Sequence, residues 1–399
     1  MTWWSSTNPS APEDGTTVPF RVEREFTNPA AVELLPLVRE MCAQQLEPYA
    51  ASAEEAAEFP RDLFRTLGAA GLLSLPFAEE YGGAGLPLHD YLQVVEELAG
   101  AWATVGLGVS VHTLSCFPLA SYGTDEQKRR WLPEMLGGDL LGAYCLSEES
   151  AGSDAAALQT RATSNADGYV VNGVKSWISH GGVADYYVAM VRTSDDGPKG
   201  ISCLHVDGGS AGLSARTPEH KLGFTASPTA QIVFDEVSVS RDRLIGAEGQ
   251  GFSIALAALD AGRLGMAACA VGIAQAALDL AVTYAHEREQ FGRPIAQFQG
   301  LSFLLADMAT GVAAGRSLYL AAARRRDRGE RFGTEAAMAK LFATDMAMKV
   351  TTDAIQVLGG AGYVKDFPAE RYFREAKALQ IVEGTNQIQR LVIGRSLKP

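Results

Sequence analysis

The sequence has few of the residues that cross-link a chain or bind metal. Its five cysteines, Cys42, Cys116, Cys145, Cys203 and Cys269, are odd in number, widely spaced and never in a C-x-x-C pair. That excludes a disulfide framework and a zinc knuckle, and a reducing compartment fits best. The six histidines are scattered; His286-Glu287 opens like H-E-x-x-H, but position 290 is Gln290, so no metal site is expected. Basic charge is also scarce, with 34 Lys and Arg against 47 Asp and Glu, a formal charge of −13. Such a surface does not attract nucleic acid or anionic lipid as a whole, and any polyanionic ligand must find local donors. No long uncharged apolar run and no low-complexity tract stand out, which argues against a membrane span. There is no G-x-G-x-x-G and no G-x-x-x-x-G-K-[ST], so the usual dinucleotide and P-loop cradles are missing. The N-terminus lacks both an apolar h-region and an arginine-rich amphipathic pattern. Residues 1–26 read as a disordered or extended tail, and the protein as cytoplasmic.

Hydrophobic residues make up 47% of 399, enough for two or three units around a large core. Residues 27–138 read as a helical domain. Leu34, Val38, Met41 and Cys42 fall on one helix face, Pro36 is a candidate kink, and helices are predicted near 62–70, 90–98 and 125–132. Residues 139–247 turn to short β-rich runs, and Asn172-Gly173 between two of them predicts a hairpin. From 248 to 399 helical periodicity returns. Leu301, Leu304, Leu305, Met308 and Val312 form a stripe predicted to be buried, and alanine-rich stretches at 267–281 and 336–347 allow close helix packing. The order is α, β, α without alternating strand-helix units, which disfavours a doubly wound sheet.

Several local strings carry little. Gly208-Gly209-Ser210-Ala211-Gly212 matches G-x-S-x-G but leads into another β-like run, so it reads as a turn. His180 reads as a turn residue, and Arg324-Arg325-Arg326 as a solvated helix end rather than a phosphate patch.

Three separated segments carry more: Tyr144-Cys145-Leu146-Ser147-Glu148-Glu149-Ser150-Ala151-Gly152-Ser153-Asp154, Trp177-Ile178-Ser179, and Ile381-Val382-Glu383-Gly384-Thr385-Asn386-Gln387-Ile388-Gln389-Arg390. With Arg288 to Pro294 and Gln356 to Tyr363, they resemble the acyl-CoA dehydrogenase family over nearly everything after residue 30. The resemblance implies an α+β multidomain fold: an N-terminal helical domain, a middle β-barrel-like domain and a C-terminal four-helix bundle. It implies FAD as cofactor, an acyl-CoA substrate, an electron-transfer flavoprotein as acceptor, and a homo-oligomer, a tetramer.

By the same resemblance, Tyr144, Leu146, Ser147, Gly152, Ser153, Trp177, Ile178 and Ser179 hold the flavin, with the Trp177 ring packed alongside it. Arg288, Gln290, Phe291, Gln299, Gln356, Gly359 and Gly360 would contact the FAD of a neighbouring subunit, and Thr385 and Gln387 would help bind it near the active site. Asp260 and Arg263 would meet the CoA arm, although taken alone they are a simple i, i+3 pair. Ser153, Glu383 and Gly384 complete the substrate set. Glu383 is the implied base. Removing a proton α to a thioester as a hydride leaves the β-carbon needs a carboxylate on one side and an electron sink on the other. Burial beside Ile381 and Val382 would raise its pKa and strengthen it. Taken alone, the same glutamate reads as an acid at the start of a helix. Some family members carry the base where this chain has Gly262, and a glycine cannot serve.

Three departures from the family pattern stand out. Ser147 replaces a common threonine, Glu149 a common proline, and Val382 a frequent tyrosine beside the base. The smaller Val382 either enlarges the pocket for branched or bulky acyl groups or is compensated by repacking. An acyl-CoA oxidase, a dehydrogenase of carrier-bound acyl groups and a silent oligomeric scaffold remain open alternatives at this stage.

Overall fold

The computed structural model describes residues 22–397. Most of the predicted N-terminal tail lies outside the described residues. Its described part, 22–26, forms no helix or strand and is pinned to the helix behind it, where Glu25 N donates to Gln93 Oε1 (2.8 Å); just past it, Thr27 N and Asn28 N donate to the two Asp90 oxygens (3.0 and 2.9 Å).

The first helical unit comprises α1 (Pro29–Met41), α2 (Glu47–Ala56), α3 (Arg61–Ala69), α4 (Leu88–Ala101), α5 (Ala103–Tyr122) and α6 (Asp125–Leu136). Asn28 caps α1, and Thr124 and Gln127 form a reciprocal capping box on α6. Pro36 is accommodated inside α1, which continues through it. α5 carries no Asp, Glu, Lys or Arg and, with α7 (Gly251–Glu287), is long and apolar enough to cross a membrane, contrary to the expectation that no such run exists. Both are mostly buried inside this protein, packed on all sides by other elements.

The middle unit is one mixed sheet of β1 (Gly142–Cys145), β2 (Arg161–Ser164), β3 (Gly168–Ser179), β4 (Tyr186–Arg192), β5 (Ile201–Asp207), β6 (Leu213–Ala215), β7 (Thr229–Ser240) and β8 (Leu244–Ile245). The hairpin predicted at Asn172-Gly173 does not form; β3 runs straight through it. Instead the β3–β7 register shifts there, with Val171 opposite Val237 but Gly173 opposite Phe234. Asn172 Oδ1 accepts from Glu236 N (2.9 Å), so the extra β7 residue is tied to the asparagine. Gly173 has φ +149°, and a Cβ would approach Thr160 Oγ1 to 2.6 Å, so the glycine serves close strand packing rather than a turn. The G-x-S-x-G string lies in the turns between β5 and β6, as expected.

The last unit comprises α7, a short β9–β10 ribbon (Glu289–Gln290, Arg293–Pro294), α8 (Gln299–Asp327), α9 (Gly333–Leu358), α10 (Gly360–Tyr363), α11 (Ala369–Leu379) and α12 (Asn386–Ser396). The alanines of α7 and α9 are buried and bring the helices close. Of the predicted α8 stripe, Met308 and Val312 are buried, while Leu301, Leu304 and Leu305 are only half-buried. The arginines at the end of α8 pair with nearby acids, Arg325 with Glu330 and Glu335 and Arg326 with Asp327.

One apolar core runs continuously through both helical units, and smaller cores lie on the two faces of the sheet. Polar ties lock the helical units together. Asp327 at the end of α8 accepts from Leu88 N (2.8 Å) and His89 N (3.1 Å), capping α4 from another domain. Buried Glu96 of α4 accepts from Arg316 (2.8 Å) and Tyr319 (2.5 Å) of α8.

Candidate active site

The turn between α11 and α12 carries Glu383. Thr385 caps α12, its hydroxyl accepting from Ile388 N at 3.4 Å. Ahead of that cap the chain reverses through two consecutive left-handed residues, Glu383 (φ +54°) and Gly384 (φ +86°). A non-glycine there costs on the order of 1–3 kcal/mol and persists only where its surroundings over-determine it. Here they do. Gln389 Nε2 donates to Glu383 O (3.2 Å) and Gly384 O (2.7 Å), and Lys340 Nζ of α9 donates to Gly384 O and Asn386 Oδ1 (2.9 Å each). Asn386 is held in turn by Thr344 (2.9 Å) and Asp345 (2.7 Å).

This backbone turns the Glu383 side chain inward while its neighbours face out. Ile381 is 56% exposed and Val382 36%, so the expectation that these two bury the carboxylate is corrected. Glu383 as a residue is half-buried, but its Oε2 is fully buried and has no hydrogen-bond partner. Gly262 on α7 provides the space, since a Cβ there would lie 2.8 Å from Glu383 Oε2 and 3.3 Å from Leu114 Cδ1. Burial pushes the Glu383 carboxyl up to about 7, against the pull of Arg263 and Lys340. It is a carboxylate poised near neutrality, as a general base requires.

Arg263 is buried and paired with Asp260 at 2.5 Å, and its guanidinium bears on Glu383. The i, i+3 pair is therefore present, next to Glu383. Along α7 and α5 runs a cavity of about 200 Å³ lined by Phe77, Tyr91, Leu114, Phe117, Gly262 and Gly265. Its largely apolar walls suit a short aliphatic chain, and Gly262 in its lining is the residue whose missing Cβ borders Glu383 Oε2.

The sheet supplies the facing side. β1 ends at Cys145, before Ser147, and the following segment folds back on a Glu148–Ala151 bridge. Gly152 and Ser153 are exposed there, and a Cβ on Gly152 would touch nothing. A second register shift between Lys175 and Ile178 makes a bulge that puts Trp177 at φ +63° and leaves its ring 61% exposed. Ile178 points the other way, into the sheet core, so it can offer a ligand only its backbone. Leu146 is also buried, and Ser179 is half-buried at the end of β3.

Sequence reasoning missed what holds these segments. Lys175, fully buried, donates to Leu146 O (3.1 Å) and Glu148 Oε1 (2.8 Å), while Glu148 accepts from Gln159 N and Thr160 N (2.7 and 2.9 Å). Ser176 N donates to Ser147 O at 2.9 Å, joining the two predicted flavin segments directly. A lysine inside the apolar β3 run was a readable signal, as was Lys340 within the alanine-rich first half of α9. Buried Tyr144 Oη and Ser176 Oγ lack partners, as does Glu383 Oε2. Buried polar atoms without partners mark a place where a ligand completes the hydrogen bonding. The exposed indole, the open Gly152 backbone and these atoms fit a flat heterocycle with a phosphate tail such as a flavin dinucleotide.

The remaining predicted cofactor residues lie elsewhere on this chain. Arg288, Gln290, Phe291 and Gln299 flank the β9–β10 ribbon, and Gln356, Gly359 and Gly360 end α9; all are exposed, Phe291 by 93%. Among the described residues no hydrogen bond or ion pair links them to the sheet. Gln387 is exposed, and Thr385 is engaged as the α12 cap.

Three family models match the chain in succession: acyl-CoA dehydrogenase N-terminal domain over residues 28–139, middle domain over 143–237 and C-terminal domain over 249–398. An acyl-CoA dehydrogenase of Bacillus subtilis (strain 168) is 45% identical over 363 residues, covering 90% of this chain and 96% of the relative. The structure of butyryl-CoA dehydrogenase from Megasphaera elsdenii superimposes with a TM-score of 0.91 at 39% identity, covering 93% of this chain and 98% of the other. A chain from a structure described as the electron transferring flavoprotein of Acidaminococcus fermentans superimposes with a TM-score of 0.91 at 42% identity, covering 95% and 99%.

Proposed function

The chain belongs to the acyl-CoA dehydrogenase family, and from that premise we propose that it desaturates the Cα–Cβ bond of a short or branched acyl-CoA with Glu383 as base. The observation that carries this reading is the Glu383 carboxyl, unpartnered, held near neutrality and set against Gly262, which also lines a largely apolar cavity. The Glu383 carboxylate takes the α-proton and becomes the neutral acid. Bound FAD supplies the acceptor for the hydrogen that leaves the β-carbon with its electron pair, so the product is the trans-2-enoyl thioester.

The chain's own groups do the rest. Phe77, Leu114 and Phe117 exclude water from the acyl chain, and the absent side chain at Gly262 leaves the carboxylate room to meet Cα. The backbone amide of Glu383 is a donor for the thioester carbonyl, where charge develops as the proton leaves. Arg263 keeps the base ionised over more of the neutral range than burial alone would allow. Tyr144, Leu146, Ser147, Gly152, Ser153, Trp177 and Ser179 would hold the flavin, and the Trp177 ring would lie along it.

The likeness to butyryl-CoA dehydrogenase and the small cavity support a short substrate. The likeness to a chain in an electron transferring flavoprotein structure supports such a protein as the electron acceptor. The exposed set around Phe291 and Gly359 supports assembly in which it meets the cofactor of a neighbouring subunit, in a tetramer. A cytoplasmic location belongs to the same reading.

The test is anaerobic mixing of the yellow holoprotein with acyl-CoAs of graded length and branching. The expected result is bleaching by short or branched substrates and none for Glu383→Gln. Absence of bleaching by every acyl-CoA, or equal rates for the variant, would overturn the assignment.

A further inference from the structure

Lys340 is among the largest fully buried side chains, yet no carboxylate lies within ion-pair distance of it among the described residues. Two of its three N–H bonds go to Gly384 O and Asn386 Oδ1. Neither bond demands a charge, and neither acceptor depends on Lys340 alone. Gln389 already donates to Gly384 O at 2.7 Å, and Asn386 is fixed by Thr344 and Asp345. A buried ammonium is costly, and a methionine or glutamine of similar length would fill the volume without that cost. What lysine alone adds is a positive charge beneath the Glu383–Gly384 turn.

We propose that Lys340 is a positioning residue of the reaction, whose buried ammonium holds the Glu383–Gly384 turn and keeps the carboxylate of the base ionised. The inference rests on Glu383 being the base. Arg263 cannot supply the whole effect, because Asp260 takes up much of its charge at 2.5 Å. Asp345 is likewise engaged, by Arg390 at 2.9 Å and by Asn386 and Gln380. The charged and titratable groups facing the pair are therefore Arg263 with Asp260 on α7, Asp345 on α9 with Arg390 on α12, and Tyr144 on β1. Of these, Arg263 and Lys340 are the cations that act on Glu383, Arg263 the more strongly, and Lys340 is the one that also holds the Glu383–Gly384 turn through Gly384 O. Burial pushes Lys340 down to about 7, while Glu383 and Asp345 pull it up, so lysine and glutamate titrate as a coupled pair in the range where the base must work.

The experiment compares the wild-type holoprotein with Lys340→Met, Lys340→Gln and Lys340→Arg, with Glu383→Gln as the reference that lacks the base. Flavin reduction by a short acyl-CoA is followed in stopped flow from pH 5.5 to 9, alongside infrared titration of the carboxyl stretch that Glu383→Gln abolishes. Loss of the charge moves the acidic limb and the carboxyl titration upward by about one pH unit, a rate loss of about tenfold below pH 7, with substrate binding little changed. The arginine variant returns both toward wild type. If either neutral variant folds with bound flavin and titrates like wild type, the proposal is overturned, as it is if the arginine variant shifts as far as methionine. If Glu383→Gln is still reduced at the wild-type rate, the assignment of the base fails instead, and the two failures are distinguishable. Should Lys340→Met not fold, Lys340→Gln, which keeps a donor of similar reach, carries the same comparison.

Discussion

Gly262 and Glu383 divide one space between α7 and the α11–α12 turn: a Cβ on the glycine would stand 2.8 Å from Glu383 Oε2. The atom that must yield is the free end of a flexible side chain, so the molecule can absorb a methyl group there by moving its base. Gly262→Ala should therefore keep the fold, gaining up to about 1 kcal/mol from helix propensity, while flavin reduction slows by about 10- to 100-fold from the displaced carboxylate. Thermal melting and stopped-flow reduction of the same sample check both halves. A variant as fast as wild type would mean that the carboxylate does not react from this position.

The reaction should follow the ionisation of Glu383. Its carboxyl lies at about 7 because it is buried, so the proton-accepting form is scarce below that pH and dominant above it. The rate of flavin reduction should rise with pH through about 7 and level off. A flat profile from pH 5.5 to 9 would remove the raised carboxyl from the mechanism.

Lys175 and Glu148 form a buried pair at 2.8 Å that ties together the two segments proposed to hold the flavin. Removing the cation alone strands a buried carboxylate, at a cost of about 3–5 kcal/mol. Lys175→Met should lower the apparent melting temperature and release flavin. Lys175→Met with Glu148→Gln should recover much of the stability without recovering flavin affinity, because the bond to Leu146 O is still lost. Cofactor content after gel filtration, measured beside the melting curves, separates the two effects.

Trp177 adds nothing to the sheet core, since its ring is 61% exposed from a bulge. Trp177→Ala should melt within a few degrees of wild type as apoprotein yet bind FAD about tenfold or more weakly, the loss expected for one aromatic contact of about 1–2 kcal/mol. Unchanged affinity in a fluorescence titration would place the flavin elsewhere.

Glu375 on α11 is buried and neither carboxyl oxygen accepts a hydrogen bond, Arg371 Nε standing 3.9 Å from Oε1, and burial, then Glu54, pushes it up to about 8. The folded state thus holds its proton more tightly than the unfolded chain does. The stability this contributes is complete below the unfolded value near 4.5 and is lost as pH rises through about 8. Glu375→Gln should match wild type at pH 5 and melt at a higher temperature at pH 8.5; equal curves at both pH values would count against a raised carboxyl.

Much of this was readable along the chain. Helical periodicity and the change to β texture near residue 140 are local, and local interactions decided the α, β, α order. Glu383, Trp177 and the Ser147 segment were identified by residue type within motifs. Asn172-Gly173 misled because its turn preference is local, whereas its actual role, a close approach to Thr160 and a tie to Glu236, is set by strands far along the chain. Ile381 and Val382 misled for a related reason: adjacency in sequence does not place side chains on one face when the backbone turns left-handed.

What the sequence by itself determined is therefore the set of chemical groups and the elements that carry them, because propensity, capping and periodicity act within a few residues. What only the tertiary structure decided is their state. The carboxyl of Glu383 lies near neutrality because a glycine on α7 gives it room, burial of Oε2 disfavours its charge, and two distant cations, Arg263 and Lys340, limit how far burial can raise it. Each of those effects acts through space over a few ångströms, between residues separated by tens of positions in sequence, and so has no local signature.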